Sequence, residues 1–208
     1  MIIAVDGPTA SGKGTIATAL AEHFGLPHLD TGLLYRAVGW QIAQGGDDPD
    51  DAQAALSACD FDDCLLSEPL LRREAIGALA SRVSVHPEVR AALLQRQRDF
   101  AAQPGGAVLD GRDIGTVIAP HADAKLFVSA DAEVRAKRRF AEMERRGDPR
   151  SYEVILADIK ARDARDTGRD IAPLRASPDA LLLDTSNLTI STAVQAAIAM
   201  VETRLRQL

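Results

Sequence analysis

Two patterns of apolar residues alternate along the chain. Short, nearly continuous apolar runs predict buried strands, which we place at residues 2–5, 28–30, 107–110, 124–129 and 180–184. Between these runs, apolar residues recur every three or four positions, which is the spacing of helices. We predict one helix from near Lys13 to Gly25, one from the cap Thr31 to Gly45-Gly46, and three at about 132–146, 152–165 and 191–205. Strands separated by helices in this way indicate an α/β fold, a five-stranded parallel sheet with helices on both faces.

One long segment interrupts the alternation. Residues from about 52 to 103 follow a mostly helical pattern with breaks at Pro69 and Pro87. We therefore divide a single 208-residue domain into a core of residues 1–45 and 104–208 and an insertion of about 46–103, which we expect to bind substrate. In such a sheet the ligand lies at the carboxyl ends of the strands.

Composition and charge narrow the function classes. A net charge of −6 argues against a general nucleic-acid binder, which needs a basic face to displace counterions. Cys59 and Cys64 lack a second Cys or His pair that would complete a metal site, and we expect both to be reduced. The apolar run before Asp6 is too short for a signal peptide, and no apolar run reaches 18 residues. We expect a cytoplasmic monomer that binds small anions, with neither nucleic acid nor membrane as a partner.

The stretch after the first strand predicts a phosphate-binding loop. It reads Gly7-Pro8-Thr9-Ala10-Ser11-Gly12-Lys13-Gly14-Thr15, which matches the spacing G-x-x-x-x-G-K. Such glycines let successive N–H groups point at phosphate oxygens at a helix N-terminus, and Lys13 adds a full charge at the β and γ phosphates. Gly14 stands where Ser or Thr is usual, and the hydroxyl of Thr15 follows. The alternative is a glycine-rich turn that binds nothing, but the strand before it and the helix after it favour a nucleoside triphosphate site.

Acidic residues stand where three of the predicted strands end. These are Asp6, Asp30 and Asp110, and Arg112 and Asp113 follow the third strand. Carboxylates at this edge can hold Mg²⁺ or its waters, and an arginine can clamp a phosphate with two hydrogen bonds. For any single aspartate, a helix cap or a turn is the better interpretation. Three that converge on one edge favour a functional site.

Two arginine-rich segments follow. Arg162, Asp166 and Arg169 have the spacing i, i+4 and i+7, so they share one face if their helix continues to its end. The alternative is a solvated face with an internal ladder of salt bridges. We interpret the other segment as part solvated surface and part lid; its members are Arg135, Lys137, Arg138, Arg139, Arg145 and Arg146. We interpret the four histidines as core or surface residues.

Together these segments resemble the bacterial cytidylate kinase family of nucleoside monophosphate kinases. The resemblance runs in chain order through residues 3–8, 11–15, 29–36, 110–117 and 162–174, and so spans essentially the whole chain. The Gly-Lys-Gly-Thr form of the loop is similar to the form that many monophosphate kinases use. The resemblance implies a P-loop fold of the monophosphate kinase type, with a monophosphate-binding insertion and a short lid at about 146–152. It also implies transfer of the γ-phosphoryl group of ATP to CMP or dCMP, with Mg²⁺ bound mainly through nucleotide phosphates and water.

The same resemblance implies roles for individual side chains. Those expected at the cytosine are Ser81, Arg90 and Asp113. Those expected around the monophosphate are Thr31, Arg36 and Arg112, and those expected to approach the sugar and phosphates are Arg162, Asp166 and Arg169. Residues Gly7 to Thr15 would bind ATP, and the charges of Lys13, Arg162 and Arg169 would act in catalysis. Between Asp60 and Arg72 the chain lacks most of the β-hairpin that usually elaborates the family's monophosphate domain.

Two alternative functions stay open. Transfer between two polyanions needs positioning, charge neutralisation and exclusion of water, which closure of the insertion and the lid would provide. Within the enzymes, the alternative is a P-loop kinase that acts on UMP, on another monophosphate or on a sugar-type hydroxyl. Outside them, the alternative is a nucleotide sensor without turnover. A GTPase is disfavoured because the chain has no N-K-x-D motif.

Overall fold

The computed structural model describes residues 1–145, 147 and 149–207. Its strands are β1 (Ile2–Asp6), β2 (His28–Asp30), β3 (Ala107–Gly111), β4 (Ala124–Ser129) and β5 (Leu181–Asp184). They form one five-stranded sheet in the order β2-β3-β1-β4-β5. Strand β1 pairs in parallel with β3 and β4, and β4 pairs in parallel with β5. The predicted α/β fold with a parallel sheet is confirmed, and each strand lies within a residue of its predicted bounds.

Helices connect the strands. They are α1 (Lys13–Phe24), α2 (Gly32–Gly45), α3 (Ala52–Ser57), α4 (Glu74–Val83), α5 (Pro87–Ala101), α6 (Ala132–Arg145), α7 (Tyr152–Thr167) and α8 (Ile190–Leu205). Short 3₁₀ helices occupy Asp63–Ser67 and Pro69–Arg72, and a π-helical turn occupies Ile114–Ile118. The predicted breaks Pro69 and Pro87 each stand at the first residue of a helix, where a missing N–H leaves no bond unmade.

The chain forms two compact units. The first contains Met1–Leu29 and the chain from Ala101 onward, and the second contains Asp30–Phe100. Helix α2, which the sequence led us to group with the core, packs against α4 within the second unit. The functional division at residues 46 and 104 stays a prediction.

Apolar residues of the sheet, α1 and α8 form the core of the first unit. The fully buried members of this cluster include Ile3, Val5, Leu20, Val108 and Val201. A separate small cluster joins α6 to α7; its buried members are Ala136, Met143, Ile155 and Ile159. These two clusters fix both the phosphate loop, which lies between β1 and α1, and the helix that carries Arg162 and Asp166.

In the second unit, α2 and α4 approach closely. A Cβ atom at Gly39 of α2 would lie 2.9 Å from the Cβ of Leu79 and 3.1 Å from the main-chain nitrogen of Ala80, so this contact requires glycine. The packed helix pair supports Arg36 on α2 and Ser81 on α4.

The described part of the chain contains no helix that is long and apolar enough to cross a membrane.

Candidate active site

The phosphate loop leaves β1 at Gly7 and enters α1 at Lys13. A Cβ atom at Gly7 would lie 2.1 Å from the carbonyl oxygen of Val128 in β4, so only glycine allows the loop to start this close to the sheet. Gly12 (φ 92°) and Ala10 (φ 58°) have left-handed backbones. The loop therefore turns tightly and ends at a helix N-terminus, where main-chain N–H groups and the helix dipole favour an anion.

The ammonium of Lys13 lies beside a buried carboxylate. Its Nζ is 3.9 Å from Oδ2 of Asp110, which is near the end of β3 and only 2% exposed. The other oxygen, Oδ1, is 2.8 Å from Nε2 of His28, whose Nδ1 is 3.4 Å from the hydroxyl of Thr18. The predicted phosphate-binding lysine thus has an anionic neighbour that sets its direction. The sequence did not indicate this role for His28, because the contact joins two strands.

Asp6, the last residue of β1, is buried and holds the turn that follows β3. Its carboxylate accepts hydrogen bonds of 2.8 Å from the N–H groups of Ile114 and Gly115. Burial raises the pKa of Asp6 to about 7, although the two N–H donors act to lower it, and the nearby carboxylate of Asp113 raises it further. Asp6 therefore fixes the segment that carries Arg112 and Asp113. Asp113 itself is buried.

Arg112 and Asp166 form a largely buried ion pair in the first unit. The Nε of Arg112 donates to Oδ2 of Asp166 at 2.8 Å. Burial acts to raise the pKa of Asp166, but the charge of Arg112, and then those of Arg162 and Arg169, hold it below its usual range. The structure thus brings these four predicted site residues of the first unit together.

The reason we gave for that grouping was wrong. Helix α7 ends at Thr167, and the N–H of Gly168 donates to the carbonyl of Ala164 to close its last turn. Arg169 lies beyond the helix, so it does not share a helical face with Arg162. It comes close to Asp166 through the turn that follows the helix.

The second unit contains the other predicted site residues. Arg36 donates to the carbonyls of Leu71 (2.7 Å) and Arg73 (2.9 Å). The guanidinium of Arg90 lies 5.6 Å from the ring centre of Tyr35, a cation–π contact.

Further contacts place Arg90 and Ser81 near the end of α4. Arg90 donates to the carbonyl of Ser84 at 3.4 Å, and the hydroxyl of Ser84 donates to the carbonyl of Ser81 at 3.1 Å. Ser81 and Arg90 are both buried.

Thr31 is buried just before α2, but its side chain does not cap the helix as predicted. The N–H of Gly32 bonds instead to Oδ1 of Asp30 at 3.0 Å. The aspartate side chain thus bonds the main chain two residues further on, as in an Asx turn.

A cavity of about 570 Å³ adjoins the phosphate loop in the first unit. Loop residues Ala10, Ser11 and Gly12 form part of its wall. The rest comes from the start of α1, from α6, and from α8 with the segment that leads into it, and includes Arg138, Arg139, Glu142, Thr185, Leu188, Ile190 and Val194. Arg138 donates to the hydroxyl and the carbonyl of Thr185, and this hydroxyl donates to the carbonyl of Ser11. The cavity wall is therefore hydrogen-bonded to the loop itself.

The match to known proteins agrees with this geometry. The family described as cytidylate kinase matches residues 3–203. The chain belongs to the cytidylate kinase family. The cytidylate kinase of Rhodopseudomonas palustris (strain HaA2) is 56% identical over 203 residues, which cover 97% of this chain and 96% of that protein. That of Xanthobacter autotrophicus (strain Py2) is 56% identical over 204 residues, 98% of each chain.

A solved structure also resembles this member of the cytidylate kinase family. It is that of an uncharacterized protein from Eubacterium ventriosum, which matches with a TM-score of 0.57 over 98% of this chain and 99% of that one. At 17% identity, this likeness supports the fold alone.

Two features of this cytidylate kinase family member lay outside the sequence prediction. Arg135, which we grouped with surface and lid residues, is buried and paired with Asp163. Asp6, expected to face a ligand, accepts main-chain N–H groups instead. No local spacing signals either contact, because the partners are distant in sequence.

The lid at about 146–152 remains a prediction. Arg146 and Asp148 lie outside the described residues. Ser151 caps α7 by accepting a hydrogen bond from the N–H of Val154. Within the described residues, no three His, Cys, Asp or Glu side chains converge as a metal cluster.

Proposed function

We propose that the chain transfers the γ-phosphoryl group of ATP to CMP or dCMP, giving ADP and CDP or dCDP. The observation that carries this proposal is the phosphate loop beside a cavity of about 570 Å³, in a chain that matches the cytidylate kinase family over residues 3–203. A cavity of that size suits a nucleoside, since small-molecule sites span roughly 300–1,000 Å³.

The donor nucleotide is assigned to the first unit. The loop from Gly7 to Thr15 holds the phosphates through main-chain N–H groups, and Lys13 takes up charge on the β and γ phosphates. The adenosine occupies the adjoining cavity, whose wall supplies apolar side chains such as Leu188 and Val194 and the guanidinium of Arg138.

Arginines of the first unit take up the charge of the transferring group. Arg162 and Arg169 approach the phosphates, and Arg112 binds the acceptor monophosphate while Asp166 fixes its direction. The acceptor oxygen is already anionic at neutral pH, so the reaction needs positioning and charge neutralisation rather than a strong base.

Recognition of the acceptor also uses the second unit. We assign Thr31 and Arg36 to the monophosphate, and Ser81 and Arg90 to the cytosine. Asp113 of the first unit accepts a hydrogen bond from the exocyclic amine, as acidic side chains do when they read cytosine. The carbonyls that orient Arg36 belong to Leu71 and Arg73, so the main chain of this unit directs the guanidinium.

Mg²⁺ fits this site as a partner of the nucleotide. The buried carboxylate of Asp110 lies beside Lys13 at the edge of the loop, where it could orient metal-bound water. Bound through nucleotide phosphates and water, the ion would neutralise charge between the β and γ phosphates. Removal of Mg²⁺ by chelation should abolish turnover.

A coupled assay of ADP release tests the assignment. The purified chain is given Mg²⁺, ATP and, one at a time, CMP, dCMP, UMP, AMP, GMP and dTMP. We expect kcat/KM to be highest for CMP or dCMP. A higher value for another monophosphate would reassign the substrate, and no ADP release with any acceptor would favour the sensor. We also propose a monomer in the cytoplasm; light scattering coupled to size exclusion tests the oligomeric state.

A further inference from the structure

The guanidinium of Arg135 contacts three separate segments of the first unit. Arg135 is the fourth residue of α6 and only 5% exposed. Its Nε donates to the carbonyl of Ala130 at 2.8 Å, and Nη1 donates to the carbonyl of Thr9 in the phosphate loop at 3.3 Å. Nη1 and Nη2 also bind the two oxygens of Asp163 on α7, at 3.0 and 2.6 Å. One buried cation thus joins α6, α7 and the loop.

The contact with Thr9 falls where the loop is conformationally strained. The next residue, Ala10, has φ 58°, a left-handed conformation that costs a residue with a Cβ atom about 1–2 kcal/mol. Such a conformation persists only where its surroundings enforce it. The carbonyl of Thr9 and the nitrogen of Ala10 belong to one peptide plane, so the bond from Arg135 restrains that plane directly.

The contact with Asp163 falls among the residues that we assign to the substrates. Asp163 follows Arg162 directly, and Asp166 is one helical turn further along α7. Asp166 binds Arg112 and lies near Arg169. A bidentate pair at Asp163 therefore fixes the position and rotation of the helix end that carries this arginine cluster.

We propose that Arg135 and Asp163 form a positioning pair that keeps the phosphate loop aligned with the arginine cluster at the end of α7. Neither residue is assigned a substrate contact. The pair fixes the position of the phosphate loop, which binds the donor, relative to the arginines that neutralise the transferring group. The inference rests on the proposed function for the nature of the two substrates.

The chain offers a matched control. Lys160 of α7 and Glu133 of α6 form an ion pair of 3.2 Å between the same two helices, but both side chains are 56% exposed. Lys160→Gln removes a surface bridge without a contact to the loop. Asp163→Asn removes the partly buried carboxylate at nearly constant volume, and Arg135→Lys keeps the charge but cannot span both oxygens of Asp163.

The experiment measures ATP binding by calorimetry without acceptor, kcat and KM for CMP, and the melting temperature. For Asp163→Asn and Arg135→Lys we expect roughly tenfold weaker ATP binding and roughly tenfold or greater loss of kcat, below the melting temperature of each variant. Lys160→Gln should stay within roughly twofold of the unchanged protein on both measures. In the double variant the two effects should be clearly less than additive.

Either of two results would overturn the inference. One is a lower melting temperature in the Asp163→Asn and Arg135→Lys variants with ATP binding and kcat in the range of Lys160→Gln, because the pair would then be merely structural. The other is additive effects of the two substitutions. If Asp163→Asn does not fold, the comparison of Arg135→Lys with Lys160→Gln in ATP binding and kcat tests the inference. If the unchanged protein fails to phosphorylate CMP, the proposed function is wrong. The comparison of ATP binding still tests whether Arg135 and Asp163 position the phosphate loop.

Discussion

The predicted site cations of the two compact units make different kinds of contact. In the first unit, Lys13 lies 3.9 Å from a carboxylate oxygen of Asp110, and Arg112 donates to Asp166 at 2.8 Å. In the second unit, Arg36 donates to two main-chain carbonyls. Carboxylates thus direct Lys13 and Arg112 in the first unit, and main-chain carbonyls accept hydrogen bonds from Arg36 in the second.

This difference predicts different sensitivities. A carboxylate partner makes the direction of a cation depend on charge, and therefore on pH and on charge-changing substitutions. A carbonyl partner belongs to the backbone, so no side-chain substitution at the partner position removes it. In the second unit, direction depends on how helices pack and on contacts such as that of Arg90 with the ring of Tyr35. We therefore expect substitutions at Lys13 and Arg112 to act mainly through the change in charge. Substitutions at Arg36 should act mainly through the change in side-chain geometry.

The largest effect of charge that we expect in the first unit is a pH dependence of stability from Asp6. Burial raises the pKa of Asp6 from 3.8 to about 7, so its contribution to stability is fully present below about pH 4 and is lost as the pH rises through 7. Relative to Asp6→Asn, the free energy of unfolding of the unchanged protein should fall by about 4 kcal/mol over this window. Chemical denaturation of both proteins across the window measures the difference. A constant difference would show that Asp6 does not titrate there.

Lys13→Ala should have the largest effect on turnover. The ammonium acts on the phosphates, so we expect kcat to fall roughly a hundredfold or more while the circular dichroism spectrum stays that of a folded protein. Lys160→Ala, which removes an exposed ammonium, is the control. Unchanged kcat in a folded Lys13→Ala protein would refute the assignment of the loop.

Asp113→Asn tests whether the first unit also reads the base. Uracil presents an oxygen where cytosine presents an amine, so a buried carboxylate here disfavours UMP. The asparagine amide can rotate to donate instead. We expect the ratio of kcat/KM for CMP to that for UMP to narrow roughly tenfold or more, at about 1.4 kcal/mol per decade. Equal losses for both substrates would instead assign Asp113 to phosphate geometry.

Arg36→Lys should give the smallest effect and would sharpen the contrast. A lysine keeps the charge, but its compact ammonium cannot reach both the carbonyls of Leu71 and Arg73 and a phosphate in the geometry of a guanidinium. We expect KM for CMP to rise roughly threefold to tenfold with little change in kcat, a loss of about 0.7–1.4 kcal/mol. KM for ATP is the internal control. An equal rise in both constants would show that the substitution disturbs more than the acceptor's phosphate.

The three central strands β1, β3 and β4 were predictable from sequence because each is a nearly continuous apolar run whose residues are mostly buried. The phosphate loop was predictable because its residues are contiguous and its glycines are needed locally, as Gly7 shows. The end of α7 was predicted at about residue 165, two residues before Thr167. The shared face of Arg162, Asp166 and Arg169 was wrong because it needed the helix to continue, whereas the bond from Gly168 to Ala164 closes its last turn.

The buried pairs that hold the site could not be predicted in the same way. Asp6 reaches the N–H groups of Ile114 and Gly115, and Arg135 reaches Asp163, across loops whose course no local pattern specifies. Arg135 stands among other basic residues of α6, so composition alone makes it resemble a surface residue. Its burial follows from the packing of α6 on α7. A single sequence does not show which residues of the two helices face each other.

The close approach of Gly7 to β4 has a consequence for inhibitor design. Any side chain at this position would collide with the carbonyl of Val128, and that strand is paired on both edges, so it cannot easily yield. A compound that gains its affinity from the main chain around Gly7 would meet a surface with almost no viable escape mutations. Resistance would have to arise elsewhere, for example in the cavity wall formed by α6 and α8, where substitutions should destabilise the fold less.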